Sequence, residues 1–118
     1  MPLIAELANE GETSDSSKTF VFENEGHTLG NVLKSIIGRY PEVEFCGYTV
    51  PHPAEPTMHL RIQVSKNSRA ADDPSQSVKA IDVLVRGLKD LVAVCDHTEL
   101  KFNDAIQLFD KTSKSTTV

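Results

Sequence analysis

The sequence predicts an α+β fold, in which a small antiparallel sheet packs with a short first helix and a long C-terminal helix. Residues 58–64 alternate between apolar and polar side chains, which is typical of a strand with one buried face. Residues 74–109 carry apolar side chains at alternating spacings of three and four, which is typical of an amphipathic helix. The 118 residues are expected to form one domain, because two cores of half that size would be too small to be stable alone.

The composition narrows the classes of protein to which the chain can belong. Its formal net charge is −5, and its basic residues form no cluster beyond Lys66 and Arg69. Direct binding to nucleic acid is therefore not expected, since such binding usually draws on a basic face. No apolar run is long enough to span a bilayer and no secretory signal is visible, so no membrane association is expected. Cys46 and Cys95 are expected to be buried thiols rather than a disulfide.

The two ends of the chain differ from the middle. Residues 1–17 are mostly polar and acidic and are predicted to be a flexible tail, as are residues 113–118. Residues 18–112 are predicted to be the folded domain. At its start, residues 19–22 are aromatic and β-branched and predict a strand, with Phe20 and Phe22 on one face.

The first predicted helix begins at an N-cap, Thr28, and ends near Gly38. Its apolar residues fall at helical spacing and form one stripe, which comprises Leu29, Val32, Leu33, Ile36 and Ile37. Gly30 lies in the first turn, where glycine costs up to about 1 kcal/mol relative to alanine. Close approach of another backbone would explain why a glycine stands there.

Two further strands are predicted on either side of a proline-rich loop. Residues 42–45 alternate as a half-buried strand does, and a second strand would direct Met58, Leu60, Ile62 and Val64 toward the core. Prolines interrupt residues 51–57 and prevent regular pairing there. The loop is short enough for the two strands to form an antiparallel pair.

The last predicted helix is too long for a domain of this size. Asp73 is its predicted N-cap and Pro74 its first residue. Its apolar residues, interrupted by Glu99, are Val78, Ile81, Val85, Leu88, Val92, Cys95, Phe102, Ile106 and Phe109, with Leu84, Leu91 and Ala105 beside them. A helix from Pro74 to Phe109 would be about 54 Å long, whereas a compact domain of this size has a radius of gyration of about 13–14 Å. Apolar residues beyond the sheet would stay uncovered, which indicates an obligate partner.

Several segments in fixed order resemble a known family. Thr28-Leu29-Gly30-Asn31 follows a predicted strand and opens a helix. Phe45-Cys46-Gly47-Tyr48 and Pro51-His52-Pro53 come next, before a strand that ends in Arg61-Ile62-Gln63. In this order the segments resemble the small alpha-like subunits of eukaryotic and archaeal DNA-directed RNA polymerases, over roughly residues 18–112.

Eukaryotes have two types of this subunit, and the sequence has features of both. Residues 41–49 and Val94-Cys95-Asp96-His97 are similar to the type that RNA polymerases I and III share. Pro51 before His52-Pro53 is more similar to the RNA polymerase II type. The shared type is the preferred interpretation, and the polymerase II subunit is the alternative.

The resemblance implies an alpha-subunit dimerisation-domain fold and a non-catalytic role in the nucleus, including the nucleolus. Such a subunit forms a heterodimer with the larger alpha-like subunit through the first and last helices. The heterodimer is the assembly platform for the two largest, catalytic subunits. No catalytic residue, cofactor, metal or small-molecule ligand is expected. The implied partner contacts are Thr28, Leu29, Gly30, Asn31, Leu33, Ile36, Val78, Ile81, Val85, Leu88, Val92, Cys95, Phe102 and Ile106.

Functions from two other classes fit the residues less well. A small RNA-binding module would use strand aromatics for base stacking, but no cluster of cationic residues surrounds Phe20 and Phe22. A small hydrolase would need a catalytic dyad, and Cys95 and His97 lie two positions apart on a predicted helix, where side chains do not face each other. The cysteines and histidines also lack the paired spacing of a zinc site.

Overall fold

A computed structural model describes residues 3–7, 15–70 and 73–116. It confirms the predicted α+β fold, in which one four-stranded antiparallel sheet packs against two helices. In chain order the elements are β1 (Ile4–Glu6), β2 (Ser17–Glu23), α1 (His27–Ile37), β3 (Val43–Thr49), β4 (Thr57–Val64) and α2 (Ala80–Thr116).

The core lies between the sheet and the two helices. The strand order is β1-β2-β4-β3, so β2 and β4 are central. Phe20 pairs with Leu60 and Phe22 with Met58 across these strands, which places their side chains on the same buried face. The predicted alternation of β4 is confirmed. The buried apolar residues are Phe20, Phe22, Leu33, Ile37, Tyr40, Met58, Leu60, Ile62, Val64, Ala80, Val83 and Leu84.

A bulge near the start of β3 changes which of its residues face the core. Val43 pairs with Val64, but Phe45 pairs with Gln63, so the register shifts by one residue at Glu44. The predicted alternation over residues 42–45 placed Phe45 on the buried face. In the structure Phe45 is exposed on the opposite face of the sheet.

Regular structure extends into both predicted tails. β1 lies within residues 1–17 and pairs with β2, and Glu23 donates its backbone N–H to the Leu3 carbonyl over 2.9 Å. At the other end α2 continues to Thr116, beyond the predicted boundary at residue 112. Residues 1–2, 8–14 and 117–118 of the predicted tails lie outside the described residues.

Helix α1 begins one residue earlier than its predicted cap. Gly26 is the N-cap and makes no side-chain hydrogen bond, so the capping role predicted for Thr28 is wrong. The helix ends at Gly38 as predicted. Gly30 packs against the Tyr48 ring, where a methyl group in its place would lie 2.5 Å from Cδ2. The close neighbour of Gly30 is therefore a side chain of its own sheet and not another backbone.

Helix α2 begins at Ala80 and not at Pro74. Asp73 accepts hydrogen bonds from the backbone N–H and the hydroxyl of Ser75, which closes a local turn and lowers the pKa of Asp73. Ser77 then forms an isolated antiparallel bridge with Arg69. The segment 73–79 therefore contains a turn and a bridge and is not helical. The predicted start of the helix at Pro74 is wrong.

The predicted overhang of the last helix is confirmed. The 37 residues of α2 span about 55 Å, and the molecule measures 73 × 42 × 24 Å. Its radius of gyration is 19.3 Å, against about 13–14 Å for a compact domain of this length. Neither α1 nor α2, the two helices among the described residues, is both long enough and apolar enough to cross a membrane.

Candidate dimerisation interface

Helix α2 has two adjacent apolar faces with different environments. Ala80, Val83 and Leu84 are buried against the sheet and α1, and Leu91 packs at the edge of the same core. A second row lies beside them and faces solvent. This row, called the seam below, consists of Ile81, Val85, Leu88, Val92, Cys95, Glu99, Phe102, Ile106 and Phe109.

The seam is mostly exposed, and it continues where the sheet no longer covers the helix. Val92 is 60% exposed, Phe102 62% and Phe109 69%. Leu88 is the half-buried exception, because it packs against the edge of the core. Contiguous apolar side chains of this size in water mark a surface for a partner rather than a solvated face.

The spacing of the seam specifies the geometry of that partner. Its residues alternate four and three positions apart, which is a seven-residue repeat. Valine and isoleucine occupy one position of the repeat at 85, 92 and 106, and leucine or phenylalanine occupies the other at 88, 102 and 109. A strict seven-residue repeat favours a second helix that winds around the first with left-handed supercoiling.

The predicted partner contacts on α1 differ in how deeply they are buried. Thr28 and Asn31 are exposed, while Leu29 and Ile36 are half-buried at the edge of the core. Gly30 is buried against the sheet, and Leu33 is 0% exposed within the chain's own core. The chain's own sheet and core thus cover Gly30 and Leu33 in the isolated chain. Their contact with a partner stays a prediction.

One predicted contact on the last helix lies outside it. Val78 precedes α2 and packs half-buried against the core. The other predicted α2 positions all fall on the seam, and Phe109 extends the seam past Ile106. The structure therefore brings the predicted α2 contacts together on one face.

A cluster of polar residues, which the sequence analysis missed, attaches α2 to the rest of the domain. The Tyr40 hydroxyl donates a hydrogen bond to Asp90 on α2. The Arg86 guanidinium stacks over the Tyr40 ring at 3.9 Å from its centroid and contacts a Glu42 oxygen at 2.5 Å. Burial, together with Asp90, raises the pKa of Tyr40 to about 12.

Helices α1 and α2 pack closely against each other beside this Tyr40 cluster. A methyl group at Gly87 would lie 2.6 Å from Cγ1 of Ile37, so the glycine lets α1 approach α2 closely. Gly87 within an apolar helical pattern is the one signal in the sequence that points to this contact. Together the glycine and the Tyr40 cluster set the direction in which α2 leaves the sheet.

The two cysteines lie in different environments. No group of three or more potential metal ligands comes together in the described ranges. Cys46 is half-buried and Cys95 is exposed on the seam, and both are free thiols, so the prediction of burial is wrong for Cys95. Burial raises the pKa of Cys46 to about 11, which keeps it a neutral thiol.

Comparison with known proteins places the fold and the exposed helix in one family. The family model described as the RNA polymerase Rpb3/Rpb11 dimerisation domain matches residues 17–101, from β2 through most of α2. The chain belongs to this RNA polymerase dimerisation-domain family. The match stops inside the overhang, so Phe102, Ile106 and Phe109 extend the seam beyond it.

Two relatives of this dimerisation domain carry the same subunit name. A Drosophila melanogaster protein named DNA-directed RNA polymerases I and III subunit RPAC2 is 51% identical over 110 residues, which cover 93% of this chain and 94% of that protein. A Schizosaccharomyces pombe protein of the same name is 43% identical over 97 residues, with 81% and 70% covered.

A solved structure confirms the predicted fold resemblance. The crystal structure of DNA-directed RNA polymerase subunit L from Thermoplasma acidophilum superposes with a TM-score of 0.67 and covers 92% of each chain. The sequences are only 17% identical. The likeness therefore concerns the fold alone.

Proposed function

We propose that this chain is the small alpha-like subunit shared by RNA polymerases I and III. It forms a heterodimer with the larger alpha-like subunit, and the pair is the platform on which the two largest subunits assemble. The observation that carries this proposal is the exposed apolar seam along an overhanging helix in a dimerisation-domain fold. The names of the Drosophila and fission-yeast relatives support the assignment to polymerases I and III.

The interface consists of the α2 seam and the exposed part of α1. Obligate interfaces of this kind bury about 2,000–5,000 Å² in total. The larger alpha-like subunit contributes a helix to the seam, because the seven-residue repeat favours a helical partner. Thr28 and Asn31 on α1 and the half-buried Leu29 and Ile36 complete the contact.

The subunit takes no part in the chemistry of transcription. In the proposed complex the two largest subunits carry catalysis, and this chain contributes position and stability. The seam supports this role, since its side chains apart from Glu99 are apolar and suited to packing rather than to proton transfer. As part of RNA polymerases I and III the chain works in the nucleus, including the nucleolus, without direct contact to nucleic acid.

Affinity purification of the full-length tagged chain from nuclear extract tests the proposal. Mass spectrometry should recover the larger alpha-like subunit together with the two largest subunits of polymerases I and III. Recovery of polymerase II subunits alone would replace the shared type with the polymerase II type. Recovery of no polymerase subunit would contradict the proposed function.

A matched pair of variants tests whether the seam is the interface. Phe102→Asp places a charge on the seam, and Leu108→Asp makes the same change at a side chain that is 67% exposed. Leu108 lies two residues after Ile106, about 200° around the helix. Phe102→Asp should lose the larger alpha-like subunit in the same purification, while Leu108→Asp should retain it. Equal recovery with both variants would contradict the assignment of the seam.

A further inference from the structure

Glu99 is the one charged residue on the seam. It stands between Cys95 and Phe102, and the overhang leaves it exposed. Its neighbours one helical turn away are Cys95, Asp96, Phe102 and Asn103. None of these is basic, so the helix itself supplies no positive charge for the Glu99 carboxylate.

The seven-residue repeat places Glu99 at the centre of the contact with a partner helix. It occupies the same position of the repeat as Val85, Val92 and Ile106. Side chains at that position insert between side chains of the facing helix and lose their water. A carboxylate there is tolerated only if the facing helix provides a charged hydrogen-bond partner, because an unpaired buried charge is strongly destabilising.

A second copy of this chain does not provide that partner. None of the seam residues is basic, so a second seam would present apolar side chains or another carboxylate to Glu99. The row that directly follows this side of the seam is also net negative, because it carries Asp82, Asp96 and Asp110 against the single basic residue Lys89. The seam is thus complementary to a basic helix and mismatched with itself.

We propose that Glu99 pairs with a lysine or arginine on the facing helix of the larger alpha-like subunit. This inference rests on the proposed function and identifies the chemistry of the partner surface. The pair fixes the register of the two helices, as single polar residues at such positions do in coiled coils. The same carboxylate acts against self-pairing of this chain, which makes it a residue that determines partner choice.

Binding of full-length variants to the purified larger alpha-like subunit tests the proposal. Glu99→Lys should weaken the affinity by roughly 30-fold or more, as expected when one member of a buried charge pair is lost. Asp104→Lys is the matched control, because it makes the same charge reversal on the far side of α2 and should change affinity less than twofold. Circular dichroism of each variant checks that the helix remains formed.

Two further measurements separate a charge pair from a general packing effect. A single Lys→Glu or Arg→Glu substitution on the facing helix should restore binding of Glu99→Lys. Glu99→Leu should lower the concentration at which the isolated chain self-associates by about tenfold or more, since it completes the apolar seam. Sedimentation velocity measures that change.

The outcomes distinguish this inference from the function on which it rests. If the wild-type chain binds the larger subunit and Glu99→Lys binds equally well, the charge pair is overturned while the proposed function stands. If no reversal on the facing helix restores Glu99→Lys, the charge pair is likewise overturned. If the wild-type chain does not bind the larger subunit, both the proposed function and the charge pair are overturned.

Discussion

Burial, rather than residue type, decides what each apolar side chain of the two helices does. Leu33 and Phe102 both belong to apolar helical stripes in the sequence. Leu33 is buried in the chain's own core, whereas Phe102 is exposed on the part of α2 that extends beyond the sheet. Substitution of Leu33 therefore affects the fold before it affects any partner.

Truncation of these two side chains should have different effects on the isolated chain. Leu33→Ala should lower the free energy of unfolding by about 2–5 kcal/mol, because it removes buried methyl groups and leaves a cavity. Phe102→Ala should change it by less than about 0.5 kcal/mol, because its side chain has few contacts to lose. Urea denaturation followed by circular dichroism measures both. A small effect of Leu33→Ala would contradict its place in the core.

Gly30→Ala should destabilise the chain although alanine favours helices. The substitution gains up to about 1 kcal/mol in helix propensity. The added methyl group would overlap the Tyr48 ring, and overpacking of this kind costs about 1–3 kcal/mol. Net destabilisation in urea is expected. The loss should diminish in a Tyr48→Val background, where the ring is absent, and an undiminished loss would contradict the contact.

At the scale of elements, the Tyr40 cluster determines how α2 is mounted on the domain. Tyr40 follows α1, Glu42 precedes β3, and Arg86 and Asp90 lie on α2. These contacts join the end of α1 and the start of β3 to α2, close to the point where α2 extends beyond the sheet. The free end of α2 extends far beyond its last contact with the domain. A small change in the angle between α2 and the domain at the Tyr40 cluster would therefore displace the distal part of the seam by a large distance.

The pKa of Tyr40 links this cluster to pH. In the unfolded chain Tyr40 ionises near pH 10, whereas in the folded chain its pKa is about 12. Between these values the folded state binds more protons than the unfolded state, so stability falls as pH rises. The contribution of Tyr40 is fully present below pH 10.

Tyr40→Phe provides the measurement of that contribution. Phenylalanine cannot ionise, so the wild-type chain should lose stability relative to Tyr40→Phe as the pH rises from 10 to 12. The free energy of unfolding in urea at several pH values in this interval gives the difference. A difference that stays constant across the interval would show that burial and the Asp90 contact do not raise the pKa of Tyr40.

At the scale of the whole molecule, the domain is too small to cover its own last helix. The sheet and α1 cover α2 only as far as Leu91, and every described side chain after it is exposed. Beyond Leu91 the chain's own core does not bury the side chains of the seam. Its apolar surface is stable in water only when another helix covers it.

The isolated chain should therefore self-associate at micromolar concentration. The apolar seam favours association, while Glu99 prevents a well-packed homodimer. Sedimentation velocity should show a broad distribution of species that co-expression with the larger alpha-like subunit converts to a single heterodimer. Phe102→Asp should shift the isolated chain toward monomer. A well-behaved wild-type monomer at this concentration would contradict the exposed seam.

The sequence by itself determined the type of most elements and the presence of an uncovered helix. Alternation at every second residue indicates a strand, and spacings of three and four residues indicate a helix. Both patterns depend only on local backbone geometry, so β2, β4, α1 and the long α2 were predictable. The excess length of α2 over a domain of 118 residues was likewise visible. The ordered segments from Thr28 to Gln63 identified the family.

Only the tertiary structure decided which edge of the apolar stripe on α2 faces the sheet. Leu84 turns inward while Ile81, Val85 and Val92 turn outward, and periodicity cannot separate two neighbouring faces of one broad stripe. The exposure of Phe45 required the register of β3 against β4. The burial of Leu33 required the position of the sheet. Each depends on contacts between residues distant in sequence, which local patterns do not contain.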